Sequence, residues 1–94
     1  MSIGVTIQYH NILRRGAGLD EEHVRLPTGS SVADVLSQLA TARTALRSLL
    51  FTEGGDVASH VVVFRNQKLV MHDALETRLV DGDEIKLFPA ISGG

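Results

Sequence analysis

The sequence predicts an α+β domain: a mixed sheet of four to five strands with one main helix packed on one face. Three features of the hydrophobic pattern carry that expectation. Residues 3–9 alternate strictly, so Ile3, Val5, Ile7 and Tyr9 share one side of a half-buried strand. Residues 32–39 change period, with Val32, Val35, Leu36 and Leu39 at i, i+3, i+4 and i+7 on one helical stripe. Alternation returns in the final third and closes on "EIKLF", where Ile85 and Leu87 point one way and Lys86 and Phe88 the other.

The elements follow in order. After the first strand, "RRGAGLD" supplies a glycine-bearing connection and "EEHVRLP" alternates through Val24 and Leu26, which predicts a hairpin. Pro27 closes the second strand because it has no amide hydrogen to give a ladder. Ser31 with Asp34 fits a capping box at the head of the helix, with Ser30 and Thr28 as alternative caps. Leu46, Leu49 and Leu50 continue the stripe beyond a bend or break near Thr41 to Thr44, and "TEGGDVAS" reads as a loop. "HVVVFRNQKLV" predicts two strand segments joined by a turn at Asn66–Gln67. "MHDALETRL" is irregular, with room for one helical turn. Asp81-Gly82-Asp83 is turn chemistry ahead of the last strand. The order β-β-α-β-β-β, with first and last strands side by side in the centre, is the β-grasp arrangement. Residues 1–90 are expected to form this domain and residues 91–94 a flexible C-terminal Gly-Gly tail.

Composition narrows the function. The 94 residues suffice for one modest core, with 44% apolar and 21% charged residues. A formal charge of −2 without a dense basic run argues against nucleic acid, whose affinity comes largely from Lys and Arg on phosphates. No apolar run approaches the about 18 residues that span a bilayer, and no signal peptide is visible, so no membrane and a cytoplasmic location are expected. Cysteine is absent, which removes disulfides, thiolate metal sites and cysteine nucleophiles. His10, His23, His60 and His72 are too dispersed for a local metal pattern and read as solvated or partly packed. The acidic run Asp20 to Glu22 and the pair Asp81/Asp83 read as the solvated head of a strand and a turn, not a catalytic dyad. No bound cofactor, no metal and no self-contained active site are expected.

The final stretch "LFPAISGG" carries the chemistry instead. Pro89 fixes its own φ and biases Phe88 towards extended backbone, so the chain leaves the sheet in a set direction. Gly93 and Gly94 have no side chains, which suits a thread entering a narrow channel in another protein. A terminal carboxyl has a reference pKa of about 3.3–3.7 and is an anion at neutral pH. That carboxylate resists attack at carbon, but it can itself attack the α-phosphate of ATP to give an acyl-adenylate. Any sulfur placed on the carbon must come from outside this cysteine-free chain.

The β-grasp pattern, "LPTGSSVADVLSQL" at the head of the helix and "DGDEIKLFPAISGG" with its Gly-Gly end together resemble the ubiquitin-like sulfur-carrier proteins. That family includes the small subunit of molybdopterin synthase and the thiamine-pathway sulfur carrier. The resemblance implies that Gly94, with Gly93 as its neighbour, is adenylated by an E1-like enzyme and converted to a thiocarboxylate. It implies a protein cosubstrate, not an enzyme: ATP is used by the activating partner, a sulfur donor protein or sulfide supplies sulfur, and a synthase subunit accepts it. The length and the "FP" step at Phe88-Pro89 look closer to the molybdopterin-synthase type than to the shorter thiamine type. Carriers for cysteine or thiamine synthesis, protein modifiers conjugated to lysine, and plain β-grasp interaction modules are the alternatives. "ARTALRSLLFTEGGDVAS" is longer than a minimal family member needs.

The strand patterns also predict a docking surface. If Val61 and Val63 face the helix, Val62 and Phe64 join Phe88 on the opposite side of the sheet, beside Pro89 and Ile91. A contiguous apolar patch on a small domain marks a protein interface.

Overall fold

The computed structural model describes residues 1–89. Strand β1 spans Ser2–Tyr9, helix α1 Ile12–Ala17, β2 Glu21–Pro27, α2 Val32–Ala42, α3 Thr44–Leu50, β3 Val61–Arg65, β4 Lys68–Val70 and β5 Glu84–Pro89, with one 3-10 turn at His72–Ala74. The sheet order is β2-β1-β5-β3-β4. β1 pairs in parallel with β5, and every other pairing is antiparallel. This is the β-grasp, ubiquitin-like fold with a mixed five-stranded sheet. No helix among the described residues is long and apolar enough to cross a membrane.

Alternation decides what is buried. Val5, Ile7 and Tyr9 of β1, Val61 and Val63 of β3, and Ile85 and Leu87 of β5 all face the helices and are at most 2% exposed. Val32, Val35, Leu36 and Leu39 meet them from α2, as the stripe predicts. The α2 start is the expected capping box. Asp34 N–H donates to Ser31 Oγ at 3.2 Å, and Ser31 N–H donates to Asp34 Oδ2 at 2.9 Å. Asn66 and Gln67, at φ 50° and 72°, form the two-residue turn that returns β3 into β4.

The connection after β1 and the environment of Glu22 differ from expectation. The connection after β1 is not a plain hairpin loop but contains α1, which buries Leu13 and Ala17. Its glycines serve packing rather than a tight strand reversal. A Cβ on Gly16 would lie 2.7 Å from Leu49 Cδ1 and 3.3 Å from Leu46 Cδ2, so glycine lets α1 settle directly onto α3. Gly18, at φ 80°, ends α1 in the left-handed conformation. The interruption expected near Thr41 to Thr44 is a full break: Arg43 is extended (φ −134°, ψ 106°) and separates α2 from α3. Arg43 Nε then donates to Glu22 Oε2 at 3.2 Å, and the same carboxylate oxygen accepts from the Tyr9 hydroxyl at 2.7 Å. Glu22 is therefore a partly buried link between β2, β1 and the helix break, not a solvated residue. Burial, reinforced by the adjacent Glu22 carboxylate, pushes the Tyr9 phenol far above its ordinary range.

Asp83 ties the turn regions of the sheet together. Its side chain is only 4% exposed. It accepts from Val80 N–H at 2.8 Å, Asn66 Nδ2 at 2.7 Å and Arg65 Nε at 2.9 Å. Burial works to raise the Asp83 pKa, but the three donors and the Arg65 charge outweigh it and hold the carboxyl below its usual value. The neighbouring Asp81 accepts from Gly4 N–H, fastening the same turn to β1.

Removing the Asp83 carboxylate leaves buried donors unpaired, so Asp83→Ala should cost about 2–4 kcal/mol in urea unfolding. A folded-state pKa below the unfolded value adds stability that is full above about pH 4 and is lost as pH falls through the folded pKa. The wild-type urea midpoint should therefore drop on acidification below about pH 4, and the Asp83→Asn variant should show a shallower drop. Parallel profiles for the two proteins would show that another carboxylate carries the acid sensitivity.

Candidate functional site

The outward face of the sheet is set by the same alternation that fills the core. With Ile85 and Leu87 inside, Lys86 and Phe88 turn outward on β5; with Val61 and Val63 inside, Val62 and Phe64 turn outward on β3. The antiparallel register puts Val62 opposite Phe88 and Phe64 opposite Lys86. The Phe64 and Phe88 rings meet edge to face, 5.7 Å between centroids at 81°. Val62, Phe64 and Phe88 are each half-buried on this face. Pro89 ends β5 opposite Val61, so the last described residue lies beside the patch. Ile91, Gly93 and Gly94, expected to join the site, lie outside the described residues.

Three further residues belong to this face. His10 follows β1, and its ring stacks on Phe88 at 4.2 Å and 7°. Its backbone N–H donates to Leu87 O at 3.1 Å, which fixes the ring over β5. Leu69 pairs with Phe64 across β3 and β4 and is 53% exposed. Met71, 58% exposed, continues beyond it. The sequence holds a signal for Leu69: a two-residue turn at Asn66–Gln67 sets the register that places Leu69 opposite Phe64. His10 has no such signal, since its position depends on the parallel pairing of β1 and β5.

The face carries two shallow depressions. One, about 230 Å3, is lined by Phe64, Gln67, Lys86 and Phe88; the other, about 260 Å3, lies along Val62, Leu69, Met71 and His72. Polar groups border the apolar ridge. Lys86 Nζ lies 3.8 Å from Glu84 Oε1, and Gln8 Nε2 donates to Glu21 Oε1 at 3.1 Å. Among the described residues no three metal-ligating side chains converge. His72 Nε2 donates to Val61 O at 2.8 Å and His23 Nδ1 meets Thr6 Oγ1 at 3.0 Å, so these two histidines are occupied separately. An apolar ridge beside a chain exit is suited to holding a protein partner while the following residues extend away from the sheet.

Comparison with known proteins agrees with this architecture. The ThiS family profile matches residues 7–94. The chain is 33% identical over 89 residues to small archaeal modifier protein 3 of Haloferax volcanii, covering 94% of this chain and 96% of that one. It is 32% identical over 90 residues to the molybdopterin synthase sulfur carrier subunit of Chlamydomonas reinhardtii, covering 96% and 98%. The crystal structure of SAMP1 from Haloferax volcanii superimposes with a TM-score of 0.87 at 31% identity, covering 97% of this chain and 99% of that one.

The split between core and outer face has a direct consequence for stability. Leu87→Ala should lower unfolding free energy by about 2–5 kcal/mol. Phe88→Ala, truncating a half-buried ring, should cost clearly less in the same urea titration. Equal losses would show that Phe88 is a core residue.

Proposed function

The chain belongs to the ThiS family of ubiquitin-like sulfur carriers and modifiers, and from that premise we propose that it is a sulfur carrier with Gly94 as its reacting residue. The carboxylate of Gly94, at the native end or one released by processing, attacks the α-phosphate of ATP on an E1-like activating enzyme. Pyrophosphate leaves and an acyl-adenylate remains. Sulfide then attacks the acyl carbon, AMP departs with one carboxylate oxygen, and a thiocarboxylate is left for a synthase subunit to consume; a persulfide on a donor protein instead forms an acyl disulfide, which a thiol cleaves to the thiocarboxylate, the thiol being oxidised to a disulfide. Gly93 keeps the approach free of side chains. The observation that carries this reading is the match to a molybdopterin synthase sulfur carrier subunit over nearly the whole of both chains. Molybdopterin synthesis is accordingly the proposed destination, ahead of thiamine or cysteine synthesis. The chain acts as a protein cosubstrate, and ATP binds the partner.

The outer face supplies the docking half of this proposal. Phe88, Phe64 and Val62, with Pro89 and Ile91 at the exit, engage the activating enzyme and then the sulfur acceptor. Both partners need the tail in the same place, so one face serves them in turn.

A second reading has its own support. The resemblance to small archaeal modifier protein 3 and to SAMP1 favours conjugation, in which a lysine ε-amine intercepts the same adenylate. The two readings share activation and differ only in the nucleophile.

Incubation with ATP, the family's activating enzyme and sulfide should replace one oxygen of the chain by sulfur, read by intact mass. A chain extended by one residue past Gly94 should stay unmodified. An unchanged mass for the Gly94-terminated chain, beside an enzyme that activates a relative's chain, would contradict sulfur carriage. Phe88→Asp should weaken binding to the activating enzyme in a titration while leaving the urea midpoint near that of wild type. Unaltered affinity would remove the docking role of the face.

A further inference from the structure

The sheet ends in two unequal edges. β4 offers three residues, whereas β2 offers seven, Glu21–Pro27, with no lysine and with proline only at its last position. A long open edge invites another strand unless the sequence blunts it. The β1–β2 register shows which backbone groups of β2 face outward. Tyr9 N–H donates to Asp20 O at 2.9 Å and Thr28 N–H to Met1 O at 3.3 Å, so residues 20, 22, 24, 26 and 28 direct their backbone groups to β1. Glu21, His23 and Arg25 direct theirs away from the sheet. Among the described residues only Arg25 O is engaged there, accepting from Gln38 Nε2 at 3.3 Å. The side chains of these three residues are exposed on one side of the sheet. Glu21 is held by the neutral Gln8 amide. Among the described residues neither Glu21 nor Arg25 has an oppositely charged partner within 4 Å, unlike Asp20, Glu22, Asp83 and Glu84.

This edge is complementary to itself. An antiparallel copy centred on His23 puts Glu21 opposite the second copy's Arg25 and Arg25 opposite its Glu21, while His23 faces its counterpart on the two-fold axis. All three pairs fall on outward backbone groups, so each can exchange two N–H···O bonds. Centring on Glu21 or on Arg25 would instead oppose like charges, so the pattern selects one register. We propose that the chain forms a two-fold dimer by pairing β2 with β2 of a second copy, joining two five-stranded sheets into one of ten. The axis stands perpendicular to the sheet. Both helix layers therefore lie on one side, and both apolar faces of Val62, Phe64 and Phe88 lie on the other. Five strand spacings separate the two β5 strands, about 24 Å. The pairing uses neither the apolar face nor any residue beyond Pro89, so it is independent of the chemistry proposed for the tail.

Sedimentation equilibrium of the full chain, from micromolar to millimolar concentration, tests this. The mass should rise from one chain to two, and the backbone amides of Glu21, His23 and Arg25 should gain protection from hydrogen exchange as it does. Glu21→Arg and Arg25→Glu should each weaken self-association about tenfold or more, because each opposes like charges at both ends of the pairing. A urea midpoint near wild type shows that each variant is folded. An equimolar mixture of the two should restore the dimer, since the arginines of one copy then face the glutamates of the other. A wild-type mass of one chain throughout the range overturns the proposal. So does a dimer undiminished in both single variants, a mixture that stays monomeric, or protection that appears at Lys68 to Val70 instead of β2.

Discussion

The parallel pairing of β1 with β5 is the constraint on which the other features depend. Thr6 to Tyr9 lie beside Glu84 to Leu87, so the last strand is enclosed between the first and third rather than left at an edge. A parallel neighbour requires a crossover, and the two helices after β2, α2 and α3, supply the covering layer that such a crossover needs. Enclosure of β5 also decides where the chain leaves the domain. It emerges beside the end of β1 and the start of β3, which is why His10, Phe88 and Val62 meet at that point.

Polar contacts hold this arrangement in register. Asp83 joins the β3–β4 turn to the turn before β5, and Asp81 joins that turn to β1. At the other end of β1, Tyr9, Glu22 and Arg43 tie the strand pair to the point where the helix breaks. Asp83 is buried with both oxygens partnered, and the partly buried Glu22 takes two donors on Oε2, the condition under which a shielded charge is tolerated. The chain exit is thus built on a sheet clamped at both ends, and the outer face is left free of structural duties. Half-exposed aromatic residues there add little to the core, which makes them available for a partner.

Much of this was legible in the sequence because periodicity reports burial directly. The in–out alternation of β1, β3 and β5, the stripe of α2, its capping box and the Asn66–Gln67 turn each follow from a local rule. What escaped was non-local. Helix α1 is six residues long with a glycine in its last turn, and Gly16 makes sense only once Leu46 and Leu49 of α3 are known to press against it. Glu22 and Asp83 look like surface acids until distant donors close on them. Within the candidate site, Val62, Phe64 and Phe88 fall out of alternation, Leu69 requires the register as well, and His10 requires the sheet topology. The reacting glycines proposed for the tail come from composition and family membership, not from geometry.

The sulfur and amine readings converge on one intermediate, a Gly94 acyl-adenylate, so the account stands or falls with that species. Following a heavy-oxygen label in the Gly94 carboxylate tests it most directly. The labelled chain is turned over with its activating enzyme, unlabelled ATP and either sulfide or an amine, and the released AMP is weighed. The account predicts one heavy oxygen transferred from the chain to AMP with either nucleophile. Modified chain accompanied by unlabelled AMP would contradict it.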